Sequence, residues 1–320
     1  MSILFIDPIV NTSYADTYPI YKSLYKELKK LTPCYLYNKT PKNILEILRI
    51  CPFSPKTIFF GLGWSNKDRS FSSIKGLNQA RQLVIYNLFK PQNYLQKKLF
   101  FCKRNNVDLI LCAAAEYKKY EKNTKIKTRR LCHAADPSIF KDYGYKRFYD
   151  IGFSGALHHS KYYPKGAFST ENLRIKVQEA FSKREDIKCF LRGSDSVSCR
   201  ITNYKEYAQI MCKSKMWLSI PSAYGDMPPR YFEAWLSKTL LFCSEIPDTY
   251  KDIFKDGVNC VVFKNNLKNL FDKFYYYLEH EQQRNAIIET AYKTAIQEHT
   301  WRNRAKQVLA YIKEYYAHKK

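Results

Sequence analysis

Short apolar runs alternate with amphipathic stretches along the whole chain. SILFID (2–7), CYLYN (34–38), TIFFGLG (57–63), QLVIYNL (82–88) and VDLILCAAA (107–115) are almost continuously hydrophobic. Runs of that length predict strands buried on both faces, and the helical periodicity that follows several of them predicts a parallel sheet covered by helices. After CHAADPSIFKDYGYKRF (132–148), which has neither pattern, the series restarts with YDIGFSGAL (149–157), a helix over 170–184, IKCFLRGS (187–194), a helix over 204–214, KMWLSIPSA (215–223), TLLFCSEI (239–246) and NCVVF (259–263). From Leu267 onward the apolar spacing is helical: Leu267, Leu270, Phe271, Phe274, Tyr277 and Leu278, then Trp301, Ala305, Val308, Ile312 and Tyr315. Stripes of this kind predict core faces.

The expected fold class is therefore α/β, with two doubly wound Rossmann-like domains and C-terminal helices. The chain has 320 residues, against roughly 100–200 for a typical domain. The boundaries read as 1–148 for the first domain and 149–300 for the second, with a last helix over 301–320 packing back toward the first. Two facing sheets joined by a linker would leave a cleft lined by strand ends.

Charge changes this picture most. There are 54 Lys and Arg against 29 Asp and Glu, a formal net charge of +25. A surface so basic favours anions, whether nucleic acid, anionic lipid head groups or a phosphorylated substrate. The densest run, KKYEKNTKIKTRR (118–130), falls in the first domain and suits an anionic glycan, a lipid-linked acceptor or a membrane surface; a solvated face is the plainer reading. Ten cysteines without a C-x-x-C pair suit buried free thiols in a reducing compartment, and the six histidines offer no metal-ligand spacing. No stretch approaches the ~20 apolar residues of a membrane span, so a cytoplasmic protein, with peripheral membrane contact left open, is the expectation.

One stretch breaks the apolar pattern. GDMPPRYFEAW (225–235) places an acid, two prolines, an arginine and a glutamate between two core segments. It reads as a strand-to-helix corner, with Pro228 or Pro229 in the first helical turn, where a missing N–H costs nothing. Free amides around 229–232 together with Arg230 would suit a diphosphate, and Glu233 a ribose or sugar diol. A local Arg230–Glu233 helix pair beside a proline cap is the competing reading.

The run Met227–Leu309 resembles the C-terminal domain of GT-B-fold glycosyltransferases, in particular the group named for spore-maturation (CgeB-type) proteins. The resemblance rests on Pro228, Arg230, Phe232, Glu233 and Ala234, then Asp256-Gly257, Tyr276-Tyr277-Leu278, His299-Thr300 and Arg304-Ala305. CHAADPSIF with YDIGFSGAL is also similar to the junction that precedes the donor domain in these enzymes. The sequence departs from the wider superfamily at Gly225, where a glutamate is usual and Asp226 stands beside it, and at Ser237-Lys238, where a glycine is usual.

The resemblance implies a nucleoside-diphosphate-sugar donor held by the second domain, a glycan, lipid-linked or protein acceptor held mainly by the first, and neither metal nor other cofactor. The candidate donor-binding residues are Ser154, Gly155, Arg192, Asp226, Pro229, Arg230, Tyr231 and Glu233, with Lys165 a weaker one. The catalytic candidates are Arg230 and Glu233. An inverting enzyme would also need a base, for which Asp7 and Asp16 in the first strand–helix loop are the available acids, Asp16 being the one carried forward; His133 could line the cleft. A sugar-nucleotide epimerase on the same fold and a basic nucleic-acid-binding protein are the alternatives, although no nucleic-acid-binding module is visible.

Overall fold

The computed structural model describes residues 1–65, 74–89, 94–157, 172–222 and 225–318. It divides into two compact units, residues 1–132 with 301–320, and residues 133–300.

The first unit is built on a six-stranded parallel sheet: β1 (Ile3–Ile6), β2 (Cys34–Tyr37), β3 (Thr57–Phe60), β4 (Leu83–Leu88), β5 (Leu109–Cys112) and β6 (Lys127–Arg130), in the order β2-β1-β3-β4-β5-β6. Its helices are α1 (Ser13–Thr17), α2 (Ile20–Leu31), α3 (Ile44–Ile50), α4 (Leu62–Ser65), α5 (Leu95–Arg104) and α6 (Tyr117–Thr124). β1, β3, β4 and β5 are buried at every position, as expected of strands covered on both faces. One face packs Leu4, Ile6, Ile58, Phe60, Tyr86 and Ile110 into the core with Trp64 and Phe101.

The second unit carries β7 (Tyr149–Gly155), α7 (Leu173–Ser182), β8 (Cys189–Gly193), α8 (Tyr204–Cys212), β9 (Ser214–Ser219), α9 (Arg230–Leu236), β10 (Leu240–Ser244), β11 (Val261–Phe263), α10 (Leu270–Glu279) and α11 (Glu281–Glu298). Its five strands, all parallel, lie in the order β11-β10-β9-β7-β8. Leu270 and Phe274 of the predicted aromatic stripe enter this core with Ile151, Phe153, Leu218 and Phe242.

α12 (Trp301–Ala317) belongs to the first unit, where it packs on α2 and buries Trp301, Ala305, Val308 and Ile312. Its Arg304 donates to the Cys132 carbonyl at 3.0 Å, and Tyr315 donates to Asp108 at 2.6 Å. β6 had no counterpart among the apolar runs. Lys127 and Arg129 of this charged edge strand both reach Glu314 of α12, at 2.7 and 3.1 Å. The last four residues of the basic run 118–130 are thus structural; the first eight lie on α6 and its C-cap. None of the ten cysteines forms a disulfide, and seven of them are buried.

Candidate functional site

In a doubly wound sheet the ligand crevice opens where the strand order reverses, outside the carboxyl ends of the two strands that part there. In the second unit these are β7 and β9, because the chain leaves β7 for β8 on one side and returns to β9 on the other. β7 ends in Ser154 and Gly155. Ser154 is buried and its hydroxyl accepts the Ile201 amide at 3.4 Å. Gly155 has φ +154°, and a Cβ placed there would lie 2.5 Å from Nη2 of Arg230. The glycine is what admits the guanidinium, whose carbon lies 5.7 Å from the centre of the Phe153 ring.

Among the described residues Arg230 makes no ion pair, and its Nη1 is buried without a hydrogen-bond partner. The competing reading, a salt bridge from Arg230 to Glu233, is therefore not what the fold builds. A cation with a buried unmet donor is costly unless an anion completes it.

The proline corner also differs from expectation. Pro228 and Pro229 have no N–H, while the Tyr231 and Phe232 amides donate to the Pro228 and Pro229 carbonyls at 3.1 and 2.9 Å. The turn closes on the prolines, so the expected row of free amides reduces to that of Arg230. Pro229 caps α9 in helical conformation, φ −50°. α9 is held from behind by His299, stacked on Phe232 at 5.0 Å and edge-on to Trp235 at 5.8 Å. Lys238, where the wider superfamily has glycine, keeps the left-handed conformation such a helix end requires, φ +49°.

Glu233 is 5% exposed. Burial pushes its carboxyl up to about 8, opposed only by the nearby Arg230 charge. It is therefore a neutral acid near pH 7, able to donate as well as accept a hydrogen bond. Tyr231 corrects the donor-binding expectation: its side chain is wholly buried against Phe254, ring centres 5.1 Å apart, and offers no surface to a ligand. Arg192 pairs in register with Ser154 and is exposed. Asp226 is half-buried with an oxygen 3.5 Å from Nε2 of His133, which falls in the second unit. Lys165 lies outside the described residues.

A residue that the sequence reading missed braces this crevice. Arg174 of α7, 1% exposed, donates to the Ala156 carbonyl beyond β7 at 2.8 Å and to the Ile220 and Pro221 carbonyls beyond β9 at 2.9 and 3.1 Å. A lone arginine in an amphipathic helix reads as solvated, and only the backbone carbonyls it gathers reveal its role.

In the first unit the order reverses between β1 and β3. Asp16, on α1, is exposed and paired with Lys22. Asp7, directly after β1, stands at this reversal. It is fully buried and accepts the Ile9 and Gly63 amides at 2.9 and 2.8 Å. A Cβ on Gly61 or Gly63 would come within 2.3 or 2.1 Å of its carboxylate oxygens. Burial outweighs these hydrogen bonds and raises Asp7 to about 7. Among the described residues no group of three or more His, Cys, Asp or Glu could hold a metal ion.

Comparison with known proteins bears on the fold. Residues 174–310 match a family described as glycosyl transferase-like. No curated protein sequence matches. Among solved structures, Anabaena HepE in complex with UDP and glucose superposes with a TM-score of 0.60 at 14% identity, covering 98% of this chain and 100% of its own. A glycosyltransferase from Rickettsia africae gives 0.59 at 14% identity, covering 98% of each chain. Sucrose-phosphate synthase from Thermosynechococcus elongatus gives 0.61 at 11%, covering 99% of each. The chain has the GT-B fold, and the segment that matches the glycosyl transferase-like family includes Arg174, Arg230 and Glu233.

Proposed function

We propose that the protein is a glycosyltransferase that takes its sugar from a nucleoside-diphosphate donor held at the β7/β9 crevice of the second unit. The observation that carries this reading is the Arg230 guanidinium, pressed against Gly155 with a buried donor unmet among the described residues. In glycosyl transfer, negative charge grows on the departing diphosphate while the sugar becomes oxocarbenium-like. A preorganised cation beside the leaving oxygens lowers that barrier, because it stabilises the transition state more than the ground state. Arg230 takes this role, and transfer needs no metal ion. Glu233 binds a diol of the donor, accepting from one hydroxyl and donating to the other, and Ser154, Asp226 and Arg192 complete the donor's surroundings. The Anabaena structure with UDP and glucose makes UDP-sugars, hexosyl donors first and pentosyl donors next, the ones to try. The acceptor is a glycan, a lipid-linked molecule or a protein.

The test is a thermal-shift panel of UDP-, GDP-, ADP-, dTDP- and CMP-sugars on the parent, Arg230→Ala and Glu233→Gln. One nucleotide class is expected to raise the melting temperature of the parent, and the increment is lost in Arg230→Ala and reduced in Glu233→Gln. Stabilisation by none of the five classes, or an increment indifferent to Arg230→Ala, sinks the proposal.

A further inference from the structure

The basic run of the first domain is not its most distinctive surface. α5 turns Leu99, Phe101 and Cys102 inward, and even Lys98 is buried, its ammonium donating to the Phe89 carbonyl at 2.8 Å. The opposite face carries Lys97, Phe100, Lys103 and Arg104, at spacings that stack on one side of a helix. Phe100 is 64% exposed, and Tyr94, which caps the helix, is 53% exposed. Beside them a hollow of about 470 Å³ separates α5 from the end of α6, with Phe100, Phe101, Lys103, Arg104, Asn123 and Thr124 among its walls. Lys122 and Lys125 stand at that end of α6.

No acid occurs in residues 94–107. The three acids that follow are engaged: Asp108 accepts the Val84 amide at 2.8 Å and the Tyr315 hydroxyl at 2.6 Å, Glu116 pairs with Lys119, and Glu121 accepts the Thr128 amide at 3.1 Å. Among the described residues no ion pair neutralises Lys103, Arg104, Lys122 or Lys125.

We propose that this face of α5, with the adjoining end of α6, docks on an anionic lipid surface. Cations alone would satisfy any polyanion. A large aromatic ring standing out among them gains only from a partner that offers hydrocarbon as well as negative charge, which is the boundary layer of a bilayer. The inference stands apart from the donor chemistry, since the face lies on the first unit and uses none of the residues at the β7/β9 crevice.

Co-sedimentation with vesicles tests it, using pure phosphatidylcholine and phosphatidylcholine with about a third phosphatidylglycerol. The parent is expected to pellet only with the anionic vesicles. Each cation beside such a leaflet contributes about fivefold to partitioning, so Lys103→Glu/Arg104→Glu should weaken binding at least about twentyfold. Phe100→Ser should weaken it about fivefold through the lost apolar contact. Lys293→Glu/Lys306→Glu, the same change of net charge at exposed positions of α11 and α12, should bind like the parent. The proposal is overturned if the parent does not pellet, if the control charge reversal on α11 and α12 is as damaging as the one on α5, or if Phe100→Ser binds anionic vesicles unchanged. It is equally overturned if a single-stranded oligonucleotide binds the parent more tightly than the vesicles do, because the face is then a nucleic-acid surface. Unchanged far-UV circular dichroism in each variant shows that the fold is intact.

Discussion

At the scale of single residues, the candidate donor site turns on Arg230, whose own interactions are left incomplete among the described residues. Gly155 tests this most sharply. With Ala there, the new methyl would fall 2.5 Å from Arg230, and φ +154° is strained for any L side chain. The cost to folding is about 1–2 kcal/mol, whereas the displaced guanidinium should abolish the nucleotide-dependent rise in melting temperature. A Gly155→Ala protein that unfolds cooperatively but still responds fully to nucleotide would show that Arg230 does not need this berth. The two buried carboxyls make a second test, because they share a raised pKa for different ends. Glu233 rises from 4.5 to about 8 and Asp7 from 3.8 to about 7. An acid raised on folding contributes stability that is complete below its unfolded pKa and is lost as pH climbs to the folded one, so both groups drain stability between about pH 4 and 8. Glu233→Gln is expected to stabilise, by about 2 kcal/mol at pH 8.5 and little at pH 5. Asp7→Asn is expected to destabilise by about 1–3 kcal/mol at pH 5, since one amide oxygen cannot serve the backbone donors gathered around it. Denaturant titrations at the two pH values check both, and a stabilising Asp7→Asn would mean that Asp7 does not hold the β1 and β3 loops together.

At the scale of elements, the sequence was most legible where burial dictates composition. β1, β3, β4, β5, β7, β9 and β10 lie, to within a residue, inside runs whose apolar continuity named them, because a strand covered on both faces has no polar side to confuse the pattern; the edge strands β8 and β11 were named by the same kind of run though they are only partly buried. β6 was invisible for the converse reason: an edge strand written Lys-Thr-Arg-Arg is held by ladder bonds and by Glu314, not by side-chain burial. The donor corner was found from its type of residue, an Arg and a Glu amid core, yet its chemistry was only half legible. Whether an amide is free depends on where the turn closes, and Tyr231 and Phe232 spend theirs on the two prolines. Asp7 and Arg174 could not be ranked from sequence because their importance lies in the backbone groups they collect. α12 carries an element-scale prediction. It buries Trp301, Ala305, Val308 and Ile312 in the first unit and completes the β6 edge. Residues 1–132 expressed alone are therefore expected to aggregate or bind a hydrophobic dye, and co-expression with residues 301–320 should recover a soluble complex with a cooperative transition. A soluble, cooperatively folding 1–132 fragment would show that the helix is an ornament of this unit and not part of its core.

At the scale of the whole molecule, 54 lysines and arginines against 29 acids leave at least 25 cations without an acid of their own, whatever the fold. Three electrostatic effects then coexist, and ionic strength separates them. Self-repulsion among surface cations lies largely beyond pairing distance, so salt that shortens the screening length from about 20 Å to about 6 Å should stabilise the fold. The melting temperature is expected to rise by a few degrees between about 20 and 300 mM NaCl. Docking of the α5 face depends on many exposed cations acting together and should fall steeply over the same range. Nucleotide binding rests on one partly buried guanidinium packed against backbone, where screening is weak, and should change least. Opposite slopes for stability and vesicle binding, with a shallow one for nucleotide, would assign the excess charge to the surface and the specificity to Arg230. A nucleotide response that falls as steeply as vesicle binding would instead mean that the donor is drawn by the general field of the protein, and the site built around Gly155 would lose its claim to be specific.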